Sequence, residues 1–306
     1  NLSVFATQGH VRPVSWFESN GISWEADEWN GLFINNQGNI ERIVPDGPFS
    51  SDVFDIEAKN GVVKIAAGGV DDSWALTWNF NGFFIYKDGK WTQRNQYTDA
   101  ELFNYSDILS AVTIESTGKT YFGSFLSGVI EMDNQSGALS YYNKSNTILE
   151  GALGDTARTK ISTMCTDKDD NLWIGNAGAT KPIKLLKPDG TWKGFSVPYS
   201  FDLMKKILID GNGQLWAPLR GAANTGILVW SNNGTIDDLS DDKSKVLKAG
   251  EGKGGLPDPV VYSLAEDLDG NIWVGTAQGI AVYYCAGSVL STSGCDADQI
   301  KVERDG

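Results

Sequence analysis

The residues that could do chemistry in this chain are few, and each is set in a discouraging context. His10 is the sole histidine among 306 residues, so a histidine metal cluster is excluded and a Ser-His-Asp arrangement would depend on it alone. It sits between Gly9 and Val11 and reads as an ordinary turn or surface residue. Of the three cysteines, Cys165 falls in a strand-like run, ISTMCTD, and reads as a small buried apolar residue. Cys285 and Cys295 flank a Ser/Gly-rich loop. In a hairpin such a pair can close into a disulfide, implying an oxidising compartment, and the alternative is two unrelated thiols.

Three acidic turns, Asp167–Asn171, Asp210–Gln214 and Asp267–Asn271, resemble the opening of a calcium loop. That loop needs Gly at its sixth position and a carboxylate at its twelfth. Counting from Asp267 these are Ile272 and Gln278; from Asp167 they are Leu172 and Gly178. The pattern fails, and Asp, Asn and Gly are what hairpin turns select. No metal and no cofactor is expected. The chain holds 39 acidic residues, yet no pair stands out as the two carboxylates of a glycosidase.

The net charge of −14, with a pI near 4.5, argues against nucleic acid and against docking on a bare anionic bilayer. No apolar run approaches the roughly 18 residues of a membrane span. The first residue is Asn1, which suggests a processed chain or an excised piece.

The elements that must position any site come from internal repetition. VYSLAEDLDGNIWVGTAQGIAVY (261–283), ISTMCTDKDDNLWIGNAGATKPIKLL (161–186) and MKKILIDGNGQLWAPLRGAANTGILVW (204–230) share one plan. An alternating strand ends in Asp, an Asp/Asn/Gly turn follows, then a strand carrying Trp173, Trp216 or Trp273, a loop, and a third apolar strand. Weaker copies place Tyr121 and Trp24 at the same point, and a further copy runs from 53 to 86 across a long loop. Six third strands begin at Gly31, Gly82, Gly128, Pro182, Gly226 and Gly279. Fourth strands are read at 38–44, 89–94, 137–142, 190–197, 234–239 and 298–303.

Short antiparallel strands in repeats of roughly 40–57 residues predict an all-β fold, a β-propeller of four-stranded blades. Six blades are favoured and seven are possible, with residues 2–7 as a spare strand. The blades fall near 11–45, 53–96, 109–143, 161–197, 204–240 and 261–304 of a single domain, one part of a larger protein. Trp173, Trp216 and Trp273 are expected to be buried between blades.

The long connections, 68–80, 97–108, 143–160 and 241–260, all join strand two to three or strand four to the next blade. They should therefore gather on one face, and elaborated loops on a rigid scaffold are where function concentrates. Candidate partner-binding residues there are Trp29, Trp74, Trp78 and Arg220, with Lys243, Lys245, Lys248 and Lys253 of the 241–260 loop.

The segment GLPDPVVYSLAEDLDGNIWVGTAQGIAVYY resembles the two-component regulator propeller repeat of Bacteroidetes proteins, which NLWIGN and QLWAPL match less well. That repeat occurs in periplasmic sensor regions of hybrid kinases, generally glycan detectors, and in PorZ-type surface components of the type IX secretion system. The final segment, through the Cys pair, resembles the PorZ type, and GISWEADEWNGLF resembles the blade that opens its second propeller. The resemblance implies a non-enzymatic, periplasmic or cell-surface binding role. Its partners would be proteins of the secretion machinery, among them the sortase, or an anionic glycan such as lipopolysaccharide. The rivals are a glycan-sensing kinase propeller and a propeller lyase or glycosidase.

Overall fold

The computed structural model describes residues 13–28, 31–43, 46–221, 225–292 and 294–301. Its secondary structure is almost entirely strand, in six antiparallel sheets that follow one another along the chain as the blades of a β-propeller. His10, Trp29 and the spare strand at 2–7 lie outside the described residues. The chain divides into two compact units, residues 1–49 with 89–91, and 50–88 with 92–306.

The first unit contains blade 1: β1 Pro13–Ser19, β2 Ile22–Asp27, β3 Gly31–Asn36 and β4 Asn39–Ile43. Its strands pair in sequence order, with Trp24 opposite Phe17 on one side and Ile34 on the other.

The second unit carries the other blades. Blade 2 is β5 Asp55–Lys59, β6 Val62–Ala66, β7 Phe83–Lys87 and β8 Lys90–Arg94. Blade 3 is β9 Ile108–Ile114, β10 Lys119–Ser124, β11 Gly128–Asp133 and β12 Leu139–Tyr142. Blade 4 is β13 Lys160–Thr166, β14 Leu172–Ala177, β15 Ile183–Leu186 and β16 Trp192–Phe195. Blade 5 opens with two short pieces, β17 Leu203–Met204 and β18 Leu208–Ile209, followed by β19 Leu215–Arg220, β20 Gly226–Ser231 and β21 Lys243–Leu247. Blade 6 is β22 Val261–Glu266, β23 Ile272–Thr276, β24 Gly279–Tyr283 and β25 Asp298–Gln299.

The glycines that open third strands answer to geometry. Gly128 and Gly226 have φ of +109° and +107°, and a Cβ on either would lie 2.1 Å from the carbonyl oxygen of Tyr142 or Leu247 on the fourth strand. Only glycine combines that backbone with that approach.

Core forms between consecutive blades. Trp173 of blade 4 meets Trp230 of blade 5 edge to face at 5.7 Å, and Trp216 of blade 5 meets Tyr283 of blade 6 at 5.3 Å. The three repeat tryptophans also share a local bond. Each indole N–H donates to the aspartate that opens the preceding turn: Trp173 to Asp167 at 2.7 Å, Trp216 to Asp210 at 2.9 Å, and Trp273 to Asp267 at 2.8 Å. The other oxygen of each carboxylate accepts backbone N–H groups of the turn. The Asp turns therefore hold the tryptophan; among the described residues no acidic cluster has metal-binding geometry.

Two expectations need correction. Trp173 and Trp216 are buried, each against a ring of the next blade, Trp230 and Tyr283, but Trp273 is 39% exposed and is held by its bond to Asp267. The fourth strand of blade 5 is 243–247, not 234–239: Asp238 and Thr235 bond within a turn that ends at Asp241, and the alternating run KSKVL pairs with β20 instead.

Candidate functional site

The loop between β6 and β7 is the most elaborate of the second-to-third connections, and Asp107 fixes it. This buried residue precedes the strand ILSAVTI of blade 3, which is buried along its whole length. Its carboxylate accepts the Thr77 hydroxyl at 2.7 Å and the backbone N–H groups of Trp78 and Asn79, each at 3.0 Å. Charged acceptors make the stronger hydrogen bonds, so this is a firm clamp. It stabilises a backbone that needs help: Trp74 and Trp78 have φ of +61° and +58°, where bulky side chains are rare. Nearer the tip, Asp71 accepts Ser73 and Ala75, and these hydrogen bonds hold its carboxyl below the ordinary carboxylate range.

The two tryptophans have different environments. Trp74 lies edge-on between Phe54 and Phe125, at 6.2 and 6.0 Å. With Val70 and Leu76 it packs on Leu109, Phe125, Ala177 and Leu203, drawn from blades 3, 4 and 5. The tip of the loop thus caps an apolar patch shared by three blades, and Trp74 is a packing residue. Trp78 is 50% exposed, with the Arg158 guanidinium 5.3 Å from its ring centroid.

Backbone hydrogen bonds within and between blades link this end of the unit. Gly68 N–H donates to Ile108, Phe125 to Asp107, Thr159 to Leu126, Gly178 to Asp202 and Asp202 to Arg220, all between 2.7 and 3.1 Å. Loop 68–80, the 143–160 connection and Arg220 therefore occupy one end. Arg220 Nη2 donates to the Ser73 carbonyl at 2.7 Å. The 143–160 connection is anchored through Glu150, which accepts Lys184 Nζ at 2.5 Å and the Thr180 hydroxyl at 2.5 Å. Desolvation raises the Glu150 carboxyl, but these hydrogen bonds outweigh it and bring it down to about 2. In the 97–108 connection Leu102 and Tyr105 are buried while Phe103 stacks on Phe80 at 5.2 Å.

The four lysines are placed differently. Lys243 and Lys245 lie on β21, and Lys248 and Lys253 in the segment after it. That segment is tied to the final blade. Gly252 and Gly254 N–H donate to the Asp296 carboxylate at 2.5 and 2.8 Å, and the Gly254 carbonyl accepts Tyr283 Oη at 2.6 Å. Asp296 follows Cys295, which is bonded to Cys285 across a Cα separation of 6.0 Å. The lysine segment is thus organised by the disulfide hairpin rather than by loop 68–80. Cys165 is a free thiol, pushed up to about 12 by burial and then by Asp167.

At the hairpin end, a cleft of about 460 Å³ is lined by Asp167, Asp169, Asp210, Glu266 and Trp173; Asp167 and Asp210 are engaged in the turn bonds described above, and Glu266 accepts the Gly211 N–H at 2.7 Å.

Sequence reasoning did not find Asp107, Arg158 or Lys205. The signal for Asp107 was a charge directly before a strand, ILSAVTI, that carries none; for Lys205 it was Pro218 inside the facing strand.

Residues 157–178 and 255–278 match the family model described as two component regulator propeller. Blades 4 and 6 carry that repeat. No curated protein matches the chain. Among solved structures the chain is similar to PorZ, described as an essential bacterial surface component of the type-IX secretion system of Porphyromonas gingivalis. The match has a TM-score of 0.76 and 22% identity, and covers 94% of this chain and 40% of that one. It is also similar to the extracellular domain of a putative one-component system from B. thetaiotaomicron, with TM-score 0.56 and 18% identity over 92% of this chain and 34% of that one. Virginiamycin B lyase from Staphylococcus aureus matches at TM-score 0.55 and 12% identity, over 95% and 85% of the two chains. The chain spans well under half the length of PorZ and of the sensor domain. At these identities the likeness speaks for the fold, a β-propeller, and regulator-propeller repeats occur within it.

Proposed function

We propose that this chain is a non-catalytic binding propeller of a bacterial envelope protein, similar in role to PorZ, and that the end carrying loop 68–80 is its working face. The observation that carries this reading is the clamped loop itself. Asp107 and Arg220 hold a backbone with two left-handed tryptophans in place, leaving one face of Trp78 beside Arg158 open to solvent. An aromatic ring with a neighbouring guanidinium suits a protein hot spot or an anionic sugar. PorZ supports the first partner class, a component of the secretion machinery.

A second reading is favoured by the regulator-propeller match and the B. thetaiotaomicron sensor domain: a periplasmic propeller that senses glycans for a two-component or one-component system. That reading expects a membrane span and a signalling domain later in the same gene. The lyase reading is weaker. A virginiamycin B lyase is inactivated by a histidine-to-alanine change, whereas the sole histidine here, His10, precedes the first repeat.

The test is calorimetry with anionic lipopolysaccharide and a panel of neutral glycans, beside pull-down with purified sortase, on the parent and on Trp78→Ala. Loss of at least tenfold in affinity for whichever ligand the parent binds supports the face. Unchanged affinity for every such ligand moves the site elsewhere.

A further inference from the structure

We infer that Lys205 and Arg220 form a pocket for a single oxyanion group, a carboxylate or a phosphate, carried on something the size of one sugar. The inference rests on the binding reading above and sharpens it by naming the ligand group and the residues that take it.

The pocket originates in an irregularity of blade 5. Pro218 stands within β19 and has no N–H to give to a neighbouring strand. Met204 pairs with Leu219 and Leu208 with Trp216, so residues 205–207 stand opposite only 217 and 218. This is a bulge, a device that re-aims side chains. The first strands of blades 3, 4 and 6 also carry a bulge, at Leu109, Ser162 and Tyr262, but each stays one continuous strand, whereas in blade 5 the irregularity splits the strand in two. Here the break separates two consecutive lysines. Lys206 lies 3.8 Å from Asp55 of blade 2, while Lys205 reaches the Val261 carbonyl of blade 6 at 3.3 Å, with Tyr262 5.9 Å away.

Most cations around this end have an acid at hand. Arg158 and Lys160 share Asp155, Lys184 has Glu150, and Arg94 has Asp99. Lys205 and Arg220 make no ion pair within 4 Å among the described residues: their hydrogen-bond partners are the neutral carbonyls of Val261 and Ser73, and the Arg220 charge is felt only at longer range by Asp71 of the same loop. Between them opens a cavity of about 290 Å³, lined also by Asp202, Thr225, Pro259 and Val260. The Asp202 carboxylate is not within ion-pair distance of either cation among the described residues. A partly buried ammonium beside a guanidinium is costly without a counter-charge. Burial, and then the Arg220 charge, depress the Lys205 pKa accordingly. An oxyanion entering the cavity relieves both costs, and Arg220 can offer it two parallel donors once turned from Ser73. The volume, at the lower end for ligand cavities, admits one sugar-sized group and not a folded chain. Tyr262, 71% exposed, supplies a ring at the rim.

The chain is titrated by nitrogen-15 NMR at low salt with inorganic phosphate, glucose 6-phosphate, galacturonate and neutral galactose. Saturable binding of the three anions, with shifts centred on residues 202–205, 220 and 259–262, and none with galactose, is expected. Lys205→Gln and Arg220→Gln should each weaken binding at least tenfold, while Lys205→Arg, which keeps the charge if glutamine proves too disruptive to fold, should retain it. Absence of saturable binding, or affinities within twofold of the parent in both glutamine variants, overturns the pocket. Binding of inorganic phosphate with both sugar anions excluded overturns the assignment of a group carried on a sugar. Arg220→Gln also releases the Ser73 end of loop 68–80, so separation from the working face rests on Lys205→Gln, which leaves both holds on that loop intact.

Discussion

Arg220, at the end of the second strand of blade 5, donates from Nη2 to the carbonyl oxygen of Ser73, 147 positions earlier in the chain, in the long loop of blade 2. The loop is therefore held from two directions, by Asp107 at its return and by Arg220 at its tip. Its conformation depends on blades 3 and 5 as much as on the blade that carries it.

Asp107→Ala should release the return of that loop. It leaves the Trp78 and Asn79 amides without their charged acceptor, a loss of about 2–4 kcal/mol on the usual scale for buried polar groups. Hydrogen exchange should rise at Trp78 and Asn79 and stay unchanged in blade 6; Asp107→Asn, which keeps an acceptor, should show a smaller rise. Equal protection in parent and Asp107→Ala would refute the clamp.

The repeat tryptophans should separate by position. Trp216→Ala empties a fully buried site and should cost about 3–5 kcal/mol. Trp273→Ala removes a half-open ring and should cost only about 1–2 kcal/mol. Urea unfolding of the two variants checks the order, which would reverse only if Trp273 were the better covered.

Asp267 gives a pH signature. The Trp273 indole N–H and the Asn271 side-chain and backbone donors hold its carboxyl at about 2, below its unfolded value near 3.9. A depressed folded pKa contributes stability that is complete above the unfolded value and is lost as pH falls from about 4 towards 2. Trp273→Phe removes the leading donor, so carbon-13 NMR of the Asp267 carboxyl should titrate nearer the ordinary range. A titration curve identical to the parent would show that the indole contributes nothing.

Replacing Cys285 and Cys295 by Ser should cost about 2–3 kcal/mol, as expected for a loop of this length. Because Asp296 holds Gly252 and Gly254, exchange should quicken at those two amides as well as within the hairpin. Faster exchange confined to 286–294 would uncouple the lysine segment from the disulfide.

Blade architecture was legible because its determinants are local. The Asp-to-Trp spacing reflects a bond inside one hairpin, and the glycine opening a third strand reflects one close approach to the fourth. The fourth strand of blade 5 was misplaced because GTIDDL and KSKVL are equally short, and only pairing with β20 decides between them. Loop lengths pointed to the working end, but the groups that shape it did not show. Asp107 acts on residues nearly thirty positions back, and Lys205 is turned by a proline in the next strand. The lysines read as part of that end were counted in a loop that is half strand and half tied to the final hairpin.

The bond from each turn aspartate to its tryptophan has a consequence for biosynthesis. Closing that hairpin requires only a few residues of chain, so it forms on the fast timescale of local contacts as soon as a blade's first two strands emerge. The ring it positions, however, waits for a surface supplied by later sequence: Trp173 for Trp230, and Trp216 for Tyr283. While blades 4 to 6 are made, the growing edge therefore presents a correctly aimed but uncovered tryptophan, and blades 5 and 6 each cover the last one while exposing their own. Vulnerability to aggregation travels along the nascent chain with the ribosome, one blade at a time.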